Sequence, residues 1–267
     1  MIQRILTALV LIPLALALVL WAPPWLFFLG VLPFVLLALW EYLELAGRTG
    51  GVPARWVVYL VALGVLLAAA FRPQHLLAAF IGGSLLLFAA AIIRREGLAE
   101  VLSASAAAVF GLLYVVVPFA LVLELRAQEQ GPRVVLYLLL LVWVGDTAAY
   151  FGGRVLGRHK LAPAVSPGKT VEGTVASLVA TVALGFWLFR RWFGEFGDAH
   201  AFLLPLIVNI VAQFGDLAES ALKRSAGVKD SSALLPGHGG VLDRVDALLF
   251  AVPALWYYWS LLTQGAP

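Results

Sequence analysis

The residues of this chain best suited to chemistry lie between Gly215 and Asp246, in the run GDLAESALKRSAGVKDSSALLPGHGGVLDRVD. Asp216, Ser220 and Lys223 recur at i, i+4 and i+7, so a helix presents all three on one side. Asp243 and Asp246, three residues apart, do the same on a second helix. Between these two groups, Pro236, Gly237, Gly239 and Gly240 flank His238. Such a loop lets the backbone approach a ligand closely and take positive φ where needed. Carboxylates, cations and a glycine loop together suit a metal-bound phosphate. The chain has no cysteine, so its ligands are oxygen donors, and a hard cation such as Mg²⁺, arriving with a nucleotide, fits better than zinc.

The elements that must hold these residues read as membrane helices. Of 267 residues, 63% are hydrophobic and 12% charged, too apolar for an ordinary soluble domain. The net charge of +3 reflects loops at one membrane face, and nucleic-acid binding is not expected. Crossing roughly 30 Å of hydrocarbon takes about 20 residues. Nine candidate spans meet that need, at 5–22, 25–45, 55–71, 75–93, 100–123, 134–152, 171–190, 200–222 and 241–263. The expected fold is therefore an all-α, polytopic integral membrane protein with about nine transmembrane helices. Its first helix reads as retained, because no small-x-small cleavage site follows it. Residues 1–130 form the N-terminal spans, and residues 131–267 a C-terminal catalytic region with cytoplasmic loops, in one integrated membrane domain. The stretch 152–169 is expected as a Gly/Pro-rich loop.

A cytoplasmic N-terminus places thirteen of the 18 Lys and Arg residues inside and five outside, which supports that orientation. Asp146, Asp216, Asp243 and Asp246 then fall at cytoplasmic ends of their spans. A charged Asp at the bilayer centre costs about 2.5–3.5 kcal/mol on insertion scales, so these carboxylates should face a wet cavity, a cation or each other. Glu41 and Glu44, after Trp40, read as interfacial. Trp25, Trp56, Trp192, Trp256 and Trp259 read as interface anchors. The run Ser103–Ala108 suggests tight helix packing or a dimer contact.

The spaced pattern of Ser220, Lys223-Arg224, Lys229-Asp230, Pro236 to Gly240, then Asp243-Arg244 and Asp246, resembles the signature of the phosphatidate cytidylyltransferase (CDP-diacylglycerol synthase) family. Upstream, Gly145-Asp146-Thr147-Ala148-Ala149-Tyr150-Phe151 and the stretch from Gly157 through Ser166-Pro167-Gly168-Lys169-Thr170-Val171-Glu172-Gly173 add to the resemblance. The family usually shows lysine and tryptophan where this chain has Gly168 and Val171. Ser166, Lys169 and Glu172 stay in place. The resemblance implies that a phosphate oxygen of phosphatidic acid attacks the α-phosphorus of CTP, giving CDP-diacylglycerol and pyrophosphate. It also implies a homodimer in the cytoplasmic (inner) membrane, with the active site facing the cytoplasm.

Within that reading, Asp216 and Asp243 are the first choices as metal ligands. Asp246 is a third carboxylate, for the metal or for orienting Arg244, and a second cation beside Mg²⁺ is left open. Lys223, Arg224 and Lys229 neutralise phosphates while Gly237, His238, Gly239 and Gly240 cradle them. Ser220 is a hydroxyl beside the metal. Ser166, Lys169 and Thr170 contact substrate phosphate from the other loop, and Asp146 joins the substrate site. Each has a plainer competitor: Lys223-Arg224 as a positive-inside anchor, His238 as an ordinary loop histidine, Asp146 as a partner of Arg154 or Lys160. Competing functions are a CTP-dependent lipid kinase and a cation-coupled secondary transporter. No convincing inverted repeat supports the transporter, and the paired-aspartate pattern is too sparse for a CDP-alcohol phosphotransferase.

Overall fold

The computed structural model describes residues 2–49, 54–93, 98–234 and 239–264. Ten α-helices and one two-stranded hairpin make up most of the regular structure of those residues: α1 (Ile2–Trp21), α2 (Pro24–Gly47), α3 (Arg55–Phe71), α4 (Leu76–Ile93), α5 (Leu98–Gly111), α6 (Val117–Ala127), α7 (Gly131–Leu156), β1 (Lys160–Ala162), β2 (Ser166–Thr170), α8 (Val171–Trp192), α9 (Asp198–Ser225) and α10 (Leu242–Gln264). Among the described residues, seven helices are long and apolar enough to cross a membrane. Two shorter apolar helices, Ile12–Trp21 and Arg55–Phe71, accompany them. The protein is thus a helical, multi-pass membrane protein. Its helix ends follow the turn chemistry of the sequence, with Pro24 and Pro132 opening α2 and α7 where a missing N–H costs nothing.

The chain divides into two compact units, Met1–Glu129 with Leu222–Val245, and Gln130–Ala221 with Asp246–Pro267. In the first, α2, α3, α5 and α6 bury a core of Val35, Leu39, Leu43, Val58, Val65, Leu112 and Leu125. The small-residue run contributes Ala104 and Ala108, both fully buried, so it serves packing inside this unit. The α5–α6 rod carries a π-helical turn at Leu112–Val116 just before Pro118. Proline has no N–H and its ring crowds the carbonyl four residues back, and the wider turn absorbs both. Tyr42 closes against it: its hydroxyl donates to Ala107 O at 2.8 Å, and a side chain on Gly111 would lie 2.6 Å from the Tyr42 ring. By contrast α4 leaves Leu77, Ile81, Leu85, Phe88 and Ile92 exposed, the surface a lipid-facing helix requires.

In the second unit α7 and α8 pack along their length at small residues. A Cβ on Gly145 would lie 2.9 Å from Asn209 Nδ2 and Thr181 Oγ1, one on Gly153 2.9 Å from Thr170 Oγ1, and one on Gly173 2.7 Å from Ala149 O. Small residues let membrane helices approach closely enough for backbone contact and interhelical hydrogen bonds. Gly215 does the same between α9 and α10, where a Cβ would lie 2.7 Å from Asp246 O. Tyr137 is buried and donates to Gly185 O at 3.1 Å.

Two expectations are corrected here. The 152–169 stretch is not a loop throughout: α7 continues to Leu156, and β1 and β2 then pair antiparallel, with Lys160 opposite Thr170 and Ala162 opposite Ser166. The glycines and Pro163 that suggested irregular chain instead make the tight reversal and let α7 lie against α8. Trp259, expected as an interface anchor, is 2% exposed and packs edge-on to Phe193 at 4.8 Å and Phe196 at 5.6 Å, because the turn after α8 folds over it. Trp25 and Trp56 do lie exposed near helix ends.

One long-range tie fixes the start of the chain. Arg126 Nε donates to Val19 O at 2.5 Å and Nη2 to Ala22 O at 2.9 Å, while its guanidinium sits 5.5 Å from the Phe27 ring centroid. These bonds satisfy carbonyls left open at the end of α1. Replacing Arg126 by leucine removes two charge-assisted hydrogen bonds, a loss of about 2 kcal/mol, and lowers Tm of the detergent-solubilised protein. An unchanged Tm would show that this tie does not secure α1.

Candidate functional site

Two charged clusters contain most of the sequence-selected residues, one in each unit. In the second unit, β2 and α9 supply Lys169 and Asp216, whose Nζ and Oδ2 are 2.7 Å apart. Both side chains are partly exposed, at 23% and 35%. They line a cavity of 510 Å³ together with Asp146, Ser166, Asn209 and Gln213. One wall is a polar chain built from two helices, α8 and α9. Asn209 Nδ2 donates to Ser177 Oγ and Thr181 Oγ1, both at 2.9 Å, and Gln213 Nε2 donates to Asn209 Oδ1 at 2.6 Å. Ser177, Thr181 and Asn209 are almost fully buried, so these bonds meet the cost of placing amide and hydroxyl groups among apolar spans.

Local structure explains why the cavity opens where it does. Thr170 caps α8 by accepting from Gly173 N at 3.1 Å. The sequence assigned Thr170 to substrate; it is 7% exposed, and its hydroxyl is engaged in this cap while the residue lines the cavity. Glu172 accepts from Arg158 N at 3.0 Å and from His159 N and Nδ1, the last at 2.6 Å. The carboxylate thereby ties the end of α7 to the start of α8 and fixes the hairpin between them. Arg154 Nη1 donates to the Tyr150 hydroxyl at 2.9 Å. Asp146 and Ser166 line the same cavity as Lys169 and Asp216.

In the first unit the Asp243 carboxylate, 7% exposed, pairs with Lys223, 11% exposed. Its Oδ2 also faces Ser231 N at 3.1 Å, Ser231 Oγ at 2.9 Å and Gly240 N at 2.8 Å. The contact to Gly240, three residues back, satisfies a backbone N–H just before the start of α10. Gly239 takes φ +76°, which an L side chain rarely adopts. Arg224 Nη1 donates to Val228 O at 2.9 Å and holds the turn after α9. Lys229 and Asp230 are exposed, as is Arg244. Ser220 is buried on α9. Asp246, on α10 in the second unit, accepts from Ala247 N at 2.7 Å. Gly237 and His238 lie outside the described residues.

Three residues of the first-unit cluster carried no chemistry in the sequence reading. Glu41, expected at the interface, is 0% exposed and accepts from Ser231, Ser232, Val241 and Leu242. Ser231 and Ser232 complete it. Glu44 is partly exposed and pairs with Arg55. Only the acidic residue in an otherwise buried stretch, Glu41 between Leu39 and Leu43, could have signalled the difference, since an unpaired charge there is costly.

Among the described residues no three His, Asp or Glu side chains gather into a metal-sized group. The oxygen donors Asp146, Ser166 and Asp216 line one cavity, and the Lys169 ammonium already sits against Asp216 in the position a cation would take. This donor chemistry fits Mg²⁺. Asp243 fits it less well, because Lys223 and the donors from Ser231 and Gly240 already surround its carboxylate.

The two ion pairs differ in energetics. A half-exposed pair such as Lys169 and Asp216 contributes about 0–1 kcal/mol, so a ligand can displace it. Removing one partner of a buried pair costs about 3–5 kcal/mol. Lys223→Met is therefore expected to lower Tm well beyond Lys169→Met in the same detergent. Equal Tm losses would show that the Lys223–Asp243 pair is not the structural one.

Residues 2–262 match the model of the cytidylyltransferase family. Similar proteins include the phosphatidate cytidylyltransferases of Haemophilus influenzae, 42% identical over 154 residues, 54% of this chain and 54% of that protein, and of Staphylococcus saprophyticus, 44% identical over 144 residues, 53% of this chain and 54% of that protein. That of Staphylococcus haemolyticus is 44% identical over 131 residues, 48% of this chain and 49% of that protein. The chain spans about half the length of the curated relatives it matches. With the match to the family model running almost from end to end, the chain belongs to the cytidylyltransferase family.

Proposed function

We propose that this protein is a phosphatidate cytidylyltransferase of the cytoplasmic membrane. A phosphate oxygen of phosphatidic acid attacks the α-phosphorus of CTP; the new P–O bond forms as the bond to the β-phosphate oxygen breaks, leaving CDP-diacylglycerol and pyrophosphate. The observation that carries this reading is the partly exposed Lys169–Asp216 pair at the wall of the cavity, in a chain of this family. The attacking group is already an anion, so no strong general base is needed, and alignment with charge neutralisation supplies the catalysis.

In this reading Lys169, with Ser166, meets substrate phosphate, and Asp146 bounds the same cavity. Lys223, Arg224, Lys229 and Arg244 provide positive charge for phosphates. Gly239 and Gly240 present backbone, as would Gly237 and His238. Asp216 is the carboxylate best suited to hold Mg²⁺, with Asp246 as a second and Ser220 as a nearby hydroxyl. Asp243 could take a cation only by giving up its ammonium partner. When bound, Mg²⁺ would neutralise phosphate charge as a Lewis acid. The cytoplasmic N-terminus and nine spans belong to the same proposal, supported by the charge count and the two shorter apolar helices; homodimeric assembly enters it only through the family resemblance.

Labelled CTP tests the reaction. With purified protein, phosphatidic acid and Mg²⁺, α-label enters the organic-extractable lipid and γ-label leaves as pyrophosphate, while Asp216→Asn, which keeps the side chain's shape, loses most turnover. Label from the γ-position in lipid would identify a kinase instead, and no nucleotide consumption would favour transport.

Orientation is tested separately. Because the chain has no cysteine, Ala233→Cys introduces a single thiol on an exposed segment. It should resist an impermeant thiol reagent in intact spheroplasts and react after permeabilisation. Reaction before permeabilisation would invert the topology.

A further inference from the structure

Glu41 is a fully buried carboxylate in the last two turns of an apolar helix, and the chemistry assigned above does not use it. Its two oxygens accept four hydrogen bonds. Oε1 receives Ser232 Oγ at 2.6 Å and Val241 N at 2.9 Å; Oε2 receives Ser231 Oγ at 2.9 Å and Leu242 N at 2.7 Å. Four donors fill the acceptor sites of an ionised carboxylate, and bonds of this charge-assisted kind offset the cost of burying it. The donors come from two places, Ser231-Ser232 and Val241-Leu242, on either side of the segment that carries the glycine loop. A single side chain from α2 therefore clamps both pairs of residues.

The clamp also reaches the Asp243 cluster. Ser231 Oγ is 2.9 Å from Glu41 Oε2 and 2.9 Å from Asp243 Oδ2. One hydroxyl proton serves two carboxylates, so their positions are linked through Ser231. Gly240 completes the fit: a Cβ there would lie 2.6 Å from Glu41 Cδ and closer still to Oε2 and Ser231 Oγ. Only glycine at 240 admits the carboxylate.

We infer that Glu41 is a positioning residue for cytidylyl transfer: from the N-terminal half of the chain it sets the segment 231–234 and residues 239–242, and with them Asp243 and Lys223, in the arrangement that binds nucleotide phosphate. This inference rests on the reaction proposed above. It differs from a general packing role in what it requires of the side chain. Glutamine has nearly the same shape, yet its amide nitrogen, on either arm, would point N–H groups at the N–H of Val241 or of Leu242. Aspartate keeps the charge but is one methylene short of the loop.

The test uses the full chain in detergent, with Glu44→Gln, which alters the exposed neighbour on α2, as the control. The single thiol of Ala233→Cys reports segment order without requiring turnover. Glu41→Gln should lower kcat for labelled-lipid formation by about tenfold to a hundredfold, the scale of a misplaced support. It should also speed alkylation of the thiol several-fold at a temperature well below its melting transition. Glu41→Asp should recover part of both effects, and Glu44→Gln should change neither. Folded Glu41→Gln protein with the parental alkylation rate, or with faster alkylation and unchanged kcat, overturns the positioning role. Should Glu41→Gln fail to fold, Ser232→Ala decides: it removes one bond of the four, and an unchanged kcat and alkylation rate overturn the inference. If the parental protein forms no labelled lipid, the reaction itself is refuted, and the alkylation rates still read whether Glu41 holds the segment.

Discussion

The constraint on which this structure depends is the cost of charge among membrane helices. With little water available inside the spans, every ionised or strongly polar side chain must be met by protein. The protein meets this in two ways. Glu41 and Asn209, both buried, are met by several partners each, Glu41 by four donors and Asn209 by Ser177, Thr181 and Gln213. Lys169 and Asp216, which line the cavity, form a half-exposed ion pair. The first arrangement stores rigidity. The second leaves charge that a ligand can recruit at little cost, because partial exposure already weakens the pair.

Much of the fold was legible because membrane spans announce themselves by length and apolarity. The expected span at 55–71 coincides with α3, and that at 171–190 with all but the last two residues of α8. These ends are marked by proline, glycine or a capping threonine, whose effects are local. The hairpin of β1 and β2 was not legible: three- and five-residue strands have no usable periodicity, and their pairing depends on Glu172 tying back to Arg158 and His159. Trp259 was misread for a related reason. Its sequence neighbourhood looks like a helix end, and only the turn at Phe193–Phe196 covers it.

The candidate site shows the same division between local and distant causes. Asp216, Ser220 and Lys223 fall on α9, and Asp243 and Asp246 on α10, as their spacing required. What spacing could not reveal was partnership. Lys169 and Asp216 are 47 positions apart in the sequence, and Glu41 meets Leu242 across 201 positions. A single sequence gives no means of pairing such residues, so Glu41 looked like one more glutamate near a tryptophan.

Partnership in turn separates carboxylates that the sequence treated alike. Asp216 and Asp243 each pair with a lysine, but Asp243 also takes contacts from Ser231 and Gly240 in a nearly buried setting. Its charge is committed to Lys223, Ser231 and Gly240, while that of Asp216 faces the cavity. Equal residue types at comparable motif positions thus carry unequal freedom to bind a cation. That inequality follows from burial and donor count alone, and it places the organising work of this chain in residues as remote from the motif as Glu41.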